Sequence, residues 1–213
     1  MRSMLLSLLI CITCACSISA QPLAAYLNIQ NELMVFDKGL IHKIDFMPPT
    51  SMKVGRTAIP YLDNSRSFKI YYNGAVKEMN AGFTNAYFVT DNLVGFLNQK
   101  SLNVFDKGVV KNLAGVCDQY FIADSVILFL DSYKGEYRAY YNKETYTVES
   151  YIPDSVLSHL KVSDNIIAFD NFANQFRIFY RGQLIGQEEY QVRGFDAGRN
   201  LSLIHISEPT RPY

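Results

Sequence analysis

The sequence predicts an all-β chain of about five tandem four-stranded antiparallel sheets, and three observations carry that expectation. Short strings recur at a fixed interval, apolar and polar residues alternate with a period of two, and dipeptides suited to tight hairpins separate the runs. Patterns of helical period are absent over any long stretch; only Ser155 to Leu160 reads as a helical turn.

The repeat fixes the scale. VFDKG occurs at Val35–Gly39 and Val104–Gly108, and YYN at Tyr71–Asn73 and Tyr140–Asn142, both pairs 69 residues apart. Two units fit in that interval, so one unit is about 35 residues. The copies begin at Ala25, Ile59, Val94, Ile127 and Ile167, with aromatic anchors at Tyr26, Tyr61, Phe96, Phe129 and Phe169. Asp91-Asn92, Asp124-Ser125 and Asp164-Asn165 lead into three of them, and the phrase ending at Asn200 falls where a sixth lead-in is due.

Within a unit the elements follow in order. Leu93–Leu97, Val126–Leu130 and Ile166–Phe169 are short apolar runs, as expected of a strand buried on both faces. The next run alternates: Phe68, Ile70 and Tyr72 share one face and Lys69 and Tyr71 the other, and Phe176, Ile178 and Tyr180 repeat this against Arg177 and Phe179. Asn73-Gly74, Lys107-Gly108 and Arg181-Gly182 supply positive-φ corners for a hairpin into a third strand such as Val109–Leu113. A fourth strand, for example Ala86–Thr90 or Tyr120–Ala123, closes the unit. One position is aromatic in every copy: Phe36, Tyr71, Phe105, Tyr140 and Phe179. Because each sheet must bury its face against the next, these rings are expected to pack between sheets rather than grip a ligand.

Both ends read differently from the array. Residues 1–20 have the form of a secretory signal: Arg2, an apolar run from Met4 to Ile12, and small residues up to Ala20, where cleavage is expected. Such a run is too brief to span a bilayer, so the mature chain of 21–200 is expected to carry no membrane span. Cys16 after Ala15 is the alternative, as a lipid attachment point. Leu201–Tyr213, beginning LSLIHISEPTR, resembles a translated sequencing adapter and is set apart from the fold as a non-native tail.

Composition narrows the partners. Lys and Arg balance Asp and Glu at 20 each, so no basic field exists to attract a phosphate backbone, and nucleic acid is not expected as a partner. Hydrophobic residues make up 49% of the chain, enough for a core and too many for a disordered one. Three of the four cysteines lie in the signal, which leaves Cys117 without an internal disulfide partner; its apolar neighbours predict a buried, inert thiol.

Units of about 35 residues holding four short strands are a compact form of a β-propeller blade, so the expected architecture is an incomplete β-propeller of about five blades. The units resemble those of exported bacterial repeat proteins of the propeller kind, whose blades read as an apolar run, Asp-Asn, a Phe-Lys-Val-Phe-Tyr-like strand and Gly, from Ala25 to Asn200. That resemblance implies export to the periplasm, outer surface or medium, and it implies no activity. The Trp-Asp dipeptide of WD40 arrays, the Gly-Gly pair of kelch arrays and the Asp-box of sialidases are not present.

No residue stands out as catalytic, cofactor-binding or metal-ligating. His42 and His159 are far apart and suggest no zinc site; no G-x-S-x-G elbow or phosphate loop occurs. Asp63, Asn98, Asp131 and Asp170, and again Asp91, Asp124 and Asp164, recur by unit without the clustering that calcium needs, and turn capping is the expected role. Extra residues at Ser150–Asp164, and next the Phe46–Lys53 loop, mark the expected functional surface. The reading is a non-enzymatic binding or scaffold module of the cell envelope, engaging a protein or glycan without a cofactor. The alternative is an enzyme acting on an extracellular glycan or peptide at a central channel, which clustered axial carboxylates would favour. An array missing sheets would expose apolar faces at Tyr26–Phe36 and Phe176–Tyr190 and tend to associate.

Overall fold

A computed structural model describes residues 23–79, 84–150, 152, 160–171, 173–186, 192 and 194–197. The expected signal (1–20), the 201–213 tail, His159 and most of the 155–160 turn lie outside the described residues.

All regular structure among the described residues is β, in five antiparallel sheets that follow one another along the chain. The first has three strands, β1 (Ala24–Leu27), β2 (Leu33–Asp37) and β3 (Leu40–Asp45). The second has β4 (Ser51–Met52), β5 (Ala58–Leu62), β6 (Phe68–Tyr72) and β7 (Ala75–Glu78). The third has β8 (Thr84–Val89), β9 (Leu93–Asn98), β10 (Ser101–Asp106) and β11 (Val109–Ala114). The fourth has β12 (Tyr120–Ile122), β13 (Val126–Asp131), β14 (Glu136–Tyr141) and β15 (Glu144–Glu149). The fifth has β16 (Lys161–Ser163), β17 (Ile166–Asp170), β18 (Phe176–Tyr180) and β19 (Gln183–Gly186).

Local chemistry sets the turns. The hairpins from third to fourth strand place two consecutive residues at positive φ: Asn73 (49°) and Gly74 (81°), Lys107 (46°) and Gly108 (89°), Arg181 (49°) and Gly182 (83°). This is the mirror-image turn whose twist matches its strands, and it puts the three glycines at equivalent corners as expected. Between second and third strands an Asp or Asn organises the turn. Asp63 Oδ1 accepts from the Ser65 and Ser67 amides, both at 2.8 Å, and Asn171 Oδ1 does the same for Ala173 and Gln175.

The sheet boundary differs from the sequence unit by one strand. The run 84–89, read as closing the second unit, pairs with β9 and opens the third sheet; Tyr120–Ile122 likewise pairs with β13. Hydrogen-bonding direction decides this, and an edge strand's composition does not reveal which neighbour it will pair with. The copy beginning at Ala25 therefore starts at a second strand, which is why the first sheet has three.

The sheets radiate. First and second strands of neighbouring sheets crowd together, with β8 against β5 and β16 against β12 and β13, while Val76, Val109 and Leu184 of the fourth strands are exposed. Between sheets lie the cores. Val35 packs with Ile59 and Tyr71; Phe68 and Ile70 with Phe96 and Phe105; Leu102 and Val104 with Phe129 and Tyr140; Leu128 and Ala139 with Phe169 and Phe179. The recurrent aromatic position is buried in four sheets, with Tyr71 at 0% exposed, and it is 40% exposed at Phe36, whose sheet has no predecessor among the described residues.

Two kinds of joint alternate at that position. Tyr71 Oη donates to Asp37 Oδ2 at 2.9 Å and Tyr140 Oη to Asp106 Oδ2 at 2.8 Å, each reaching the sheet before it. In the joint between them Tyr72 meets Phe105 edge-on at 5.3 Å, ring against ring with no carboxylate.

The far face of the fifth sheet corrects the expectation of a second exposed apolar surface. Phe176 is 0% and Ile178 6% exposed, because Val192, Phe195 and Ala197 fold over them and the Phe176 and Phe195 rings lie 4.8 Å apart.

Candidate functional site

The turns between first and second strands gather on the inner side, where the sheets are closest. They are stitched in sequence: Thr57 Oγ1 donates to the Asp91 carbonyl at 3.0 Å, Thr90 Oγ1 to the Asp124 carbonyl at 3.0 Å, and the Ser125 amide to the Asp164 carbonyl at 2.8 Å. Arg56, Thr90, Asp91, Asp124, Ser163 and Asp164 thereby line one cleft of about 740 Å³, over a floor of Ile122, Ala123 and Val162.

Asp124 stands at its centre. Burial raises its carboxyl above the usual carboxylate range, and the negative charges of Asp91 and Asp164 push the same way. Two donors oppose them: the Asp91 amide on Oδ1 at 2.7 Å and the Asn92 side-chain amide on Oδ2 at 2.8 Å. Both oxygens thus tie the fourth sheet to the third. The lining sets the Asp91 and Asp164 carboxylates and the Arg56 guanidinium beside Asp124, groups that can pair with cationic and hydroxyl-bearing partners.

Residues 17–206 match the family described as a 10-bladed beta propeller domain. The chain belongs to that family. Among solved structures, the ten-bladed-family chain is similar in fold to human WBSCR16, at 8% identity over 80% of this chain, with a TM-score of 0.44. It spans 63% of that protein. Hsv2p of Kluyveromyces lactis shares 9% identity over 83% of this chain and 68% of its own, with a TM-score of 0.42. The computationally designed Ika8 protein shares 14% over 84% of this chain and 64% of its own, with a TM-score of 0.37. No curated protein sequence matches the chain.

In this ten-bladed-family chain the remaining marked residues have structural surroundings. Asp63 bonds Lys69 at 2.8 Å, and Asp131 faces Arg138 at 3.6 Å. Asn98 ends β9, Asp170 is buried at the end of β17, and His42 lies on β3 with its ring 6.3 Å from that of Tyr71. Among the described residues no three His, Cys, Asp or Glu side chains are grouped to hold a metal ion. Cys117 is buried, and burial pushes its thiol up to about 11.

Of the expected functional loops, 153–159 lies outside the described residues, while Ile152 and Leu160 are core residues between the fourth and fifth sheets. The Phe46–Lys53 segment is a loop only in part, since Ser51–Met52 forms β4. Phe46 is 72% exposed beneath the Lys43 ammonium. The sequence points to a central channel with clustered carboxylates only as the site of the enzyme alternative, and it reads Asp91, Asp124 and Asp164 as turn caps; what marks the inner cleft is their convergence from three successive sheets.

Proposed function

We propose that this chain is a non-enzymatic binding or scaffold module of the cell envelope, exported and freed of residues 1–20, that engages a protein or glycan through the inner cleft around Asp124. Asp124 carries this reading. A carboxylate whose two oxygens are held by a neighbouring sheet positions a surface, and the polar rim beside it offers donors and acceptors suited to a peptide or sugar. Fixed, preformed rims also suit recognition because little ordering accompanies binding.

The test is capture on peptide and glycan arrays with the purified protein, comparing wild type with Arg56→Ala and Asp91→Asn. Binding weakened by both substitutions supports the reading; unaltered binding, or none on either array, overturns it. N-terminal sequencing of the secreted protein should begin at Gln21, and the nucleotide sequence past Asn200 tests the adapter reading of Leu201–Tyr213.

One observation favours an enzyme instead. Asp124 has a raised carboxyl between two other carboxylates, which is how a general acid is prepared. Turnover of chromogenic glycosides or peptides, abolished by Asp124→Asn in a still-folded protein, would decide for that alternative.

A further inference from the structure

The third sheet departs from its neighbours at two positions that meet. Across from the anchor ring the second, fourth and fifth sheets each carry a long cation: Tyr61 pairs with Lys69, Phe129 with Arg138 and Phe169 with Arg177. Lys69 lies in the joint with the preceding sheet, 3.4 Å from Asp45, and bonds Asp63 of its own sheet at 2.8 Å. In the third sheet Phe96 pairs instead with Asn103, which is shorter and uncharged.

The turn beside it differs as well. Asn28, Asp63 and Asn171 each stand two residues after their anchor, and each side-chain oxygen accepts from two amides of the turn that follows. Asn98 holds the same place, but it pairs directly with Ser101, so the turn shrinks to Gln99 and Lys100 and has no amides for it to cap. Among the described residues the Asn98 side chain has no hydrogen-bond partner.

Both departures open on one cavity. Asn98, Ser101 and Asn103 line a space of about 600 Å³ between the second and third sheets, together with Phe96, Met79 and Glu78. Small-molecule sites occupy about 300–1,000 Å³. The polar wall is held in place from behind: Asn112 Nδ2 donates to Ser101 Oγ at 2.8 Å and to Asn103 Oδ1 at 3.1 Å, and Asn103 Nδ2 donates to the Ser101 carbonyl at 3.1 Å. Ser101 thereby keeps its proton for a guest, Asn103 keeps one N–H and one lone pair, and Asn98 keeps its whole amide. Donors and acceptors alternate along this wall, the Glu78 carboxylate adds an acceptor, and Phe96 and Met79 supply apolar surface. The second sheet's ion pair is replaced as a unit by two amides, so the wall of the third sheet is neutral.

We propose that this cavity binds a neutral sugar. Each hydroxyl of a sugar both donates and accepts, as each amide of the wall does, and the C–H face of the ring suits Phe96 and Met79. An extended peptide is disfavoured because its backbone needs a free strand edge, whereas this wall is made of side chains. The fixed wall limits the ordering that binding requires. The cavity shares no lining residue with the inner cleft, and the proposal stands whether or not that cleft binds a partner.

The test titrates the isotopically labelled full chain with maltose, cellobiose, mannobiose and diacetylchitobiose, and with tetraglycine for comparison, following the side-chain amide signals of Asn98 and Asn103 by NMR. At least one sugar should shift both. Asn98→Asp/Asn103→Lys, which builds the second sheet's ion pair into the third, should abolish that binding at a melting point near wild type, and Asn98→Ala should weaken it about tenfold. The proposal is overturned if no sugar moves these signals, if tetraglycine moves them and the sugars do not, or if the folded double variant binds as wild type does. Should the double variant not fold, Asn98→Ala decides, and wild-type affinity there is the overturning result. Loss of sugar binding in Arg56→Ala but not in Asn98→Ala would place the sugar in the inner cleft and overturn the proposal equally.

Discussion

Tyr140 Oη and Asp106 Oδ2 lie 2.8 Å apart across the joint between the third and fourth sheets, 34 residues apart in sequence, both buried. Tyr71 and Asp37 repeat the relationship two units earlier. A buried carboxylate is tolerated here because a phenol from the next sheet donates to it.

Tyr140→Phe removes that donor and leaves Asp106 buried without it. The expected destabilisation is about 1–3 kcal/mol, read as a lower denaturant midpoint at unchanged slope. Tyr140→Phe combined with Asp106→Leu should recover part of the loss, and a strictly additive pair would sink the assignment.

The same phenols make stability depend on alkali. Burial first, and the Asp37 carboxylate second, push Tyr71 up to about 12 from its ordinary value near 10, and Tyr140 moves the same way for the same causes. Above pH 10 the unfolded phenol has lost its proton while the folded one keeps it, so the folded state binds more protons and stability falls as pH rises. The contribution is complete below about pH 10 and disappears through about pH 12. Melting curves should show that descent in wild type and a shallower one in Tyr71→Phe/Tyr140→Phe; parallel descents would count against it.

Gly95 is held to a small residue by a ring across the sheet. It pairs across the sheet with Phe88, whose ring lies where a Cβ would be, 1.7 Å from the nearest ring carbon. Gly95→Val must expel that ring from its stack on Tyr120, 5.6 Å away, at a cost of about 1–3 kcal/mol. Differential scanning calorimetry reads the change; a melting point equal to wild type would contradict the packing.

Cys117 is 6% exposed, and its thiol is pushed up to about 11. Iodoacetamide at pH 8 should leave it unmodified in the native protein and alkylate it in urea, as mass spectrometry will show. Rapid native labelling would mean that the joint between the third and fourth sheets opens readily.

Much of this architecture is legible in the sequence because each unit repeats the same local chemistry. Gly74, Gly108 and Gly182 announce the hairpins, and the alternation of Phe68 to Tyr72 assigns opposite faces to opposite neighbours. What escaped depends on relations between units. The pairing of β8 with β9 is a choice between two neighbours that strand composition leaves open. Burial of Phe176 by Phe195 needs a segment without strand alternation to fold back. The Asp–Tyr joints had a visible signal, VFDKG and YYN one unit apart, but a carboxylate at a strand end reads equally as a turn residue until a hydroxyl is found opposite it. Asp124 shares that difficulty, since its partners Asp91 and Asn92 belong to the preceding unit.

Alternating joints also govern how such an array can be shortened. Excising the second sheet alone would set Asp37 against Phe105, an anion facing a phenyl ring. Excising the second and third together would set Asp37 against the Tyr140 hydroxyl, restoring a bonded seam. Recombination between copies can therefore delete paired sheets cleanly, while a single lost sheet leaves a faulty splice.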